Sequence, residues 1–147
     1  MKTIVLTFSR QFPKYHPSAG KDTNFVESIL SGKKQTTIRG NYERWSDIAD
    51  KLDANTHILS LRYWNDKPYR SKQTEFARLS KVDLKEVFIT NTFSRFEISV
   101  DDCYLYHESK LKIAQNEGFD ELKDFTAWFT DEEFTGAMIA FLNIEKV

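Results

Sequence analysis

Residues 31–39 read Ser31-Gly32-Lys33-Lys34-Gln35-Thr36-Thr37-Ile38-Arg39. Upstream, Thr23 or Asn24 can cap a helix that carries Phe25, Val26, Ile29 and Leu30 on one face. Gly32 suits its end, because a glycine takes the left-handed conformation without a Cβ penalty. Downstream, Thr36 to Arg39 is β-branched and polar by turns and reads as extended chain. The run is therefore a helix–turn–strand junction in which several cations follow a helix C-terminus.

The flanks extend this pattern. Thr3 to Phe8 reads as a first strand, and Gln11 to Thr23, with Pro13, Pro17 and Gly20, as a long loop. In His57 to Trp64, Leu59, Leu61 and Tyr63 share one face while Ser60 and Arg62 take the other. Gln73 to Val82, Leu84 to Thr90 and Phe96 to Val100 read as further strands. Glu108 to Glu117 reads as a helix closed by Gly118, and Asp120 can cap another with Leu122, Phe125 and Phe129 as its apolar stripe. Met138, Ala140, Leu142 and Ile144 alternate with more polar positions in a closing strand. Short strands with a few helices at their edges predict an α+β fold, a mixed β-barrel of about six strands with two or three flanking helices.

Composition bounds the function. The 147 residues favour one domain, 1–147, and no repeat or Pro/Gly/Ser linker divides them. A formal charge of -1 provides no global field for a polyanion, so a nucleic-acid role needs a local basic patch. The aromatic share of 14% is high enough that some rings are expected at a surface or cleft. Cys103 is the only cysteine, which excludes an internal disulfide and fits a reducing compartment. The start lacks a signal-peptide pattern and no segment is apolar enough to cross a membrane, so a cytoplasmic protein with no membrane partner is expected.

Several chemical signatures fail. Ala19-Gly20-Lys21 lacks the phosphate loop's first glycine, Tyr15 standing in its place, and Asp22 replaces the Ser/Thr. His107-Glu108 has Leu111 where a zinc-protease helix needs its second histidine, and no G-x-S-x-G occurs. His16, His57 and His107 are scattered, so neither a metal site nor a cofactor is expected. What stands out is the cationic strip Lys34, Arg39 and Arg44, with Tyr42 and Trp45 beside it as rings on which a base can stack. A solvated surface accounts for the strip equally well. Lys33 is better explained by the negative end of the preceding helix dipole.

The segment from Phe25 to Arg39 resembles the G-[KR]-K-x-x-T-x-R signature of ASCH domains, and the likeness continues through Thr3–Phe12 and Ala114-Gln115-Asn116-Glu117-Gly118-Phe119. Membership of that family implies a PUA-like fold and an association with RNA. Some small bacterial members are amidohydrolases that deacetylate N4-acetylcytidine with a lysine, a threonine and a glutamate. By motif position these map to Lys34, Thr37 and Glu117, with Arg10 where such members also carry an arginine before the helix.

Two functions follow. In the first, a basic cleft lined by Arg10, Lys34, Thr37, Arg39 and Glu117, with Arg44 and Trp45 beside it, binds RNA or a modified nucleotide. In the second, the chain is a metal-independent amidohydrolase of an N4-acylated cytidine. Like-charge repulsion from Lys33 is expected to depress the Lys34 pKa. Residues 34 and 37 of a continuous strand point to opposite faces, so Lys34 must lie in the turn, leaving Thr37 and Arg39 on one strand face. An enzyme requires Lys34, Thr37 and Glu117 to converge in a closed pocket. An RNA binder requires an open groove continuous with Arg39 and Arg44.

Overall fold

A computed structural model describes residues 1–92 and 95–147. The chain is α+β, in the order β1 (Lys2–Phe8), α1 (Phe25–Ser31), β2 (Thr36–Gly40), α2 (Tyr42–Asp53), β3 (His57–Trp64), β4 (Gln73–Leu79), β5 (Lys81–Thr92), β6 (Arg95–Val100), β7 (Cys103–Tyr104), α3 (His107–Asn116), α4 (Leu122–Trp128), β8 (Glu133–Leu142) and β9 (Glu145–Lys146). The strands form two sheets, β1-β3-β4-β9 and β2-β8-β5-β6-β7. Both orders are linear, so neither sheet closes on itself among the described residues. Among the described residues, nine strands and four helices exceed the expected six and two or three, partly because β7 and β9 are two-residue pairings and α2 is an additional helix.

Among the described residues only β1 and β3 pair in parallel, with Leu6 opposite Leu61. A parallel pair needs a crossover, and α1, β2 and α2 supply it. In α2, Trp45, Ile48 and Leu52 fall on one face and are buried, and the helix packs on β5 and β8. The Asn41 side chain caps it, accepting a hydrogen bond from the Arg44 N–H at 3.1 Å. Trp45 is thereby a core residue rather than a base-stacking platform. It is the first residue of the apolar stripe, and its ring is removed from water.

Strand β8 lies between β2 and β5, and Gly136 to Ile139 are all buried. The expected alternation is absent there because both faces of this strand are covered. Gly136 is required by close approach: a Cβ added to it would stand 2.2 Å from the Arg39 carbonyl oxygen. In β3, Ser60 is likewise fully buried on the face expected to be polar. Its hydroxyl is satisfied by Glu75, and the Arg62 Nε–H donates to it at 3.0 Å.

The loop between β1 and α1 is clipped to α4. The His16 ring bonds the Asp124 carbonyl at 2.7 Å through Nε2 and accepts from the Ser18 N–H at 3.0 Å through Nδ1. Because Nδ1 accepts, Nε2 carries the hydrogen. The Tyr15 hydroxyl donates to the Trp128 carbonyl at 2.9 Å. Phe12 stacks on His16 at 4.5 Å between ring centroids and meets Trp128 edge-on. Of the two residues expected to cap α1, Thr23 rather than Asn24 accepts from the Phe25 N–H, whereas the cap expected of Asp120 is not made and that residue pairs with Lys33 at 2.7 Å.

Candidate functional site

The site is built where the turn after α1 meets the end of α3. Gly32 ends α1 at φ 85°, and the chain reverses through Lys33 and Lys34 before β2 begins. The Lys34 N–H returns to the Ser28 carbonyl at 2.9 Å, and the Gln35 N–H donates to the Asn116 carbonyl at 2.7 Å. These backbone bonds tie the turn to α3, and Glu117 follows directly as that helix's C-terminal cap residue.

Lys34 lies in the turn, as the facing rule requires, and is buried at 3% exposure. Its ammonium group donates to the carbonyls of Thr36 at 2.8 Å and Glu117 at 2.5 Å and sits 4.6 Å from the Phe25 ring centroid. Two acceptors match the two hydrogens of a neutral amine, leaving one tetrahedral position for a lone pair or a third hydrogen. Burial lowers its pKa to about 8, with Arg39 adding to the shift and Glu117 opposing it. The cause is therefore not Lys33, whose amine is outside, paired with Asp120.

Glu117 is also buried, and both carboxylate oxygens are engaged. The Thr36 hydroxyl donates to Oε2, and the Ile38 N–H donates to Oε1 at 2.9 Å. The residue bonded to the glutamate is thus Thr36, not Thr37. The Thr37 hydroxyl lies on the Arg39 side of β2, where it accepts a long bond of 3.4 Å from Arg39 Nε. Arg39 is held by the Thr7 carbonyl at 2.7 Å through Nη2 and lies over Phe8 at 5.1 Å. Burial brings its pKa down to about 10, with Glu117 and Tyr69 opposing, so it is charged at neutral pH. Nη1 makes no hydrogen bond among the described residues.

Lys34, Thr37, Arg39 and Glu117 all line one cavity of about 190 Å³. Its walls are aromatic, with Phe25, Trp64, Tyr69, Trp128 and Phe129 among them. The volume lies below the roughly 300–1,000 Å³ of sites for drug-sized ligands, so the cavity suits a single ring. Arg10, Arg44 and Trp45 do not line it. The Arg10 guanidinium lies over Tyr63 at 4.9 Å, and Arg44 is exposed at the start of α2 over Trp45. The cationic strip is consequently divided: two of its members face the cavity and the third faces solvent.

The walls were not foreseen. Trp64 and Trp128 read as packing residues, and nothing in the sequence around Tyr69 marks it as a cavity residue. Its signal is local: an aromatic ring in a loop of polar and charged residues, 85% exposed. Thr36 escaped because the choice between adjacent threonines depends on which face of β2 meets α3. Among the described residues no group of three or more His, Cys, Asp or Glu is placed to hold a metal ion, and no helix is long and apolar enough to cross a membrane. Comparison with known families, curated proteins and solved structures finds no match to this chain.

Proposed function

We propose that the chain is an ASCH-type domain of the PUA-like class, and that its cavity hydrolyses an exocyclic amide on a pyrimidine ring, N4-acetylcytidine being the prototype. The observation that carries this reading is the buried Lys34 amine, held by two carbonyls beside Thr37, Arg39 and Glu117 in one aromatic-walled cavity. With a pKa near 8, a useful fraction of that amine is neutral at physiological pH and acts as a general base.

In the proposed reaction Lys34 takes a proton from water as the water oxygen attacks the acyl carbon. The C=O bond electrons move onto oxygen, where Arg39 and the Thr37 hydroxyl stabilise the charge. Glu117 raises the proton affinity of Lys34 through its nearby negative charge and positions β2 through Thr36 and Ile38. As the C–N bond breaks, Lys34 returns the proton to the departing amino nitrogen. One water is consumed; a carboxylic acid and the free aminopyrimidine are released.

The test is N4-acetylcytidine hydrolysis by wild type and Lys34→Ala, followed by chromatography. Turnover in the wild type and its loss in the variant is expected; turnover unchanged in the variant overturns the assignment. The second reading, a non-catalytic RNA-binding module, draws on the cations of residues 65–72, whose Pro68 and Tyr69 line the cavity. Tight RNA binding at low salt without hydrolysis would favour it.

A further inference from the structure

The mouth of the cavity carries a segment that hydrolysis does not require. Residues 65–72, Asn65-Asp66-Lys67-Pro68-Tyr69-Arg70-Ser71-Lys72, join β3 to β4. Three cations face one anion in a chain whose formal charge is -1, and none of the four forms a salt bridge among the described residues.

The loop is braced by its own bonds. The Asn65 N–H donates to the Lys72 carbonyl at 2.8 Å, and the Ser71 hydroxyl accepts from the Asp66 N–H at 3.0 Å while donating to the Lys67 carbonyl at 2.9 Å. Tyr69 sits at the tip at φ 63°, a left-handed conformation that a bulky side chain seldom adopts. Its ring rests 5.1 Å from Trp64, leaving most of its surface in water beside the cavity.

We infer that the cavity takes its pyrimidine as a phosphorylated nucleotide, with Tyr69 stacked on the ring and Lys67 and Arg70 holding the phosphate at the mouth. This rests on the pyrimidine reading above, although not on turnover. A cavity of about 190 Å³ holds the base alone, so sugar and phosphate must leave through the mouth. There they meet the Tyr69 face, flanked in the chain by Lys67 and Arg70, neither of which forms a salt bridge among the described residues; an aromatic face with free cations is how proteins hold single nucleotides. Lys34 is buried and bonded to two carbonyls, and the half-buried Arg39 is turned inward to the Thr7 carbonyl and the Phe8 ring, so neither is placed to serve a phosphate outside. The phosphate can belong to a free nucleotide or to a residue of an RNA strand.

The experiment is a fluorescence titration of the full chain, since Trp64 and Trp128 line the cavity. The probes are cytidine, cytidine 5′-monophosphate and a cytidine-containing tetranucleotide, at low and high salt. The monophosphate is expected to bind about tenfold tighter than cytidine at low salt, as a charge-assisted contact allows. High salt and the Lys67→Ala/Arg70→Ala double variant should each remove that gain. Tyr69→Ala should weaken both small ligands about tenfold and Tyr69→Phe should restore them, with unchanged thermal midpoints. Equal affinity for nucleoside and monophosphate at low salt, or a gain that survives the double variant, overturns the inference. Further tightening by the tetranucleotide identifies an RNA strand as the source, and none identifies the free nucleotide. Phosphate-dependent binding without hydrolysis would sink the amidohydrolase reading alone; hydrolysis with phosphate-blind binding would sink this inference alone.

Discussion

Adjacent threonines separate structure from chemistry in this site. Thr36 and Thr37 differ by one position on β2, which turns one hydroxyl to the Glu117 carboxylate and the other to Arg39 beside the cavity. Thr36→Val should therefore cost about 1–3 kcal/mol of stability, read as a lower denaturation midpoint, because a buried carboxylate oxygen loses its donor. Thr37→Val should leave the midpoint nearly unchanged and reduce kcat, by as much as about 10²–10³ if its hydroxyl faces the developing oxyanion. Reversal of the two phenotypes would refute the division. Lys34 adds a pH signature. Its folded pKa, about 8, lies below the ordinary 10.5, so the unfolded chain binds more protons between those values. Stability from this group thus rises with pH across that window. Relative to Lys34→Met, wild type should gain stability from pH 8 to 10.5 in urea titrations. A constant difference would mean that the amine is not desolvated.

At the scale of elements, the site depends on how closely β2, β8 and the end of α3 approach one another. Gly136→Ala places a methyl group 2.2 Å from the Arg39 carbonyl, so β2 or β8 must shift. The expected cost is at least about 1–3 kcal/mol, with loss of activity through displaced Arg39. Gly118→Ala is strained at φ 97° and brings a Cβ within 3.1 Å of Lys34 Cδ. It should lower kcat as well as the thermal midpoint. Much of this framework was legible from local patterns: the α1–turn–β2 junction, β1, β3, β6 and the α3 helix lie where the sequence placed them. Helix α2 replaces the expected surface strip of Arg44 and Trp45, a cation beside a ring. The spacing of Trp45, Ile48 and Leu52 already encoded a buried helical face. The break between β4 and β5 falls at Ser80 rather than at Asp83, since apolar residues continue on both sides of it. Neither the placing of Trp64 and Trp128 in the cavity wall nor the pairing of Lys33 with Asp120 has a local signal. Both join segments far apart in sequence.

For the whole molecule, the cavity stands between two sheets and an aromatic cluster that the β1–α1 loop closes. Phe25, Phe119 and Trp128 meet edge to face, with ring centroids 5.6 Å apart, and Phe12 and His16 cover them. His16 fastens this cover to α4 through Nε2 and braces the loop itself through Nδ1. His16→Ala should cost about 1–3 kcal/mol through the unpartnered Ser18 N–H and Asp124 carbonyl. Hydrogen exchange should accelerate in the loop and α4 before it does in β5 and β8. Uniform acceleration would show that the loop unfolds only with the core. The sequence shows this segment only as a long loop. Its attachment to α4 makes it part of the cavity's outer wall.

The most direct test of the central claim, that the buried Lys34 amine acts as the base, is the pH dependence of kcat/KM for N4-acetylcytidine hydrolysis, compared between wild type and Lys34→Arg. The rate should rise with pH and level off above about 8, where the amine is neutral, and the arginine variant should show no turnover. A flat profile through that range, or an arginine variant as active as wild type, would contradict it.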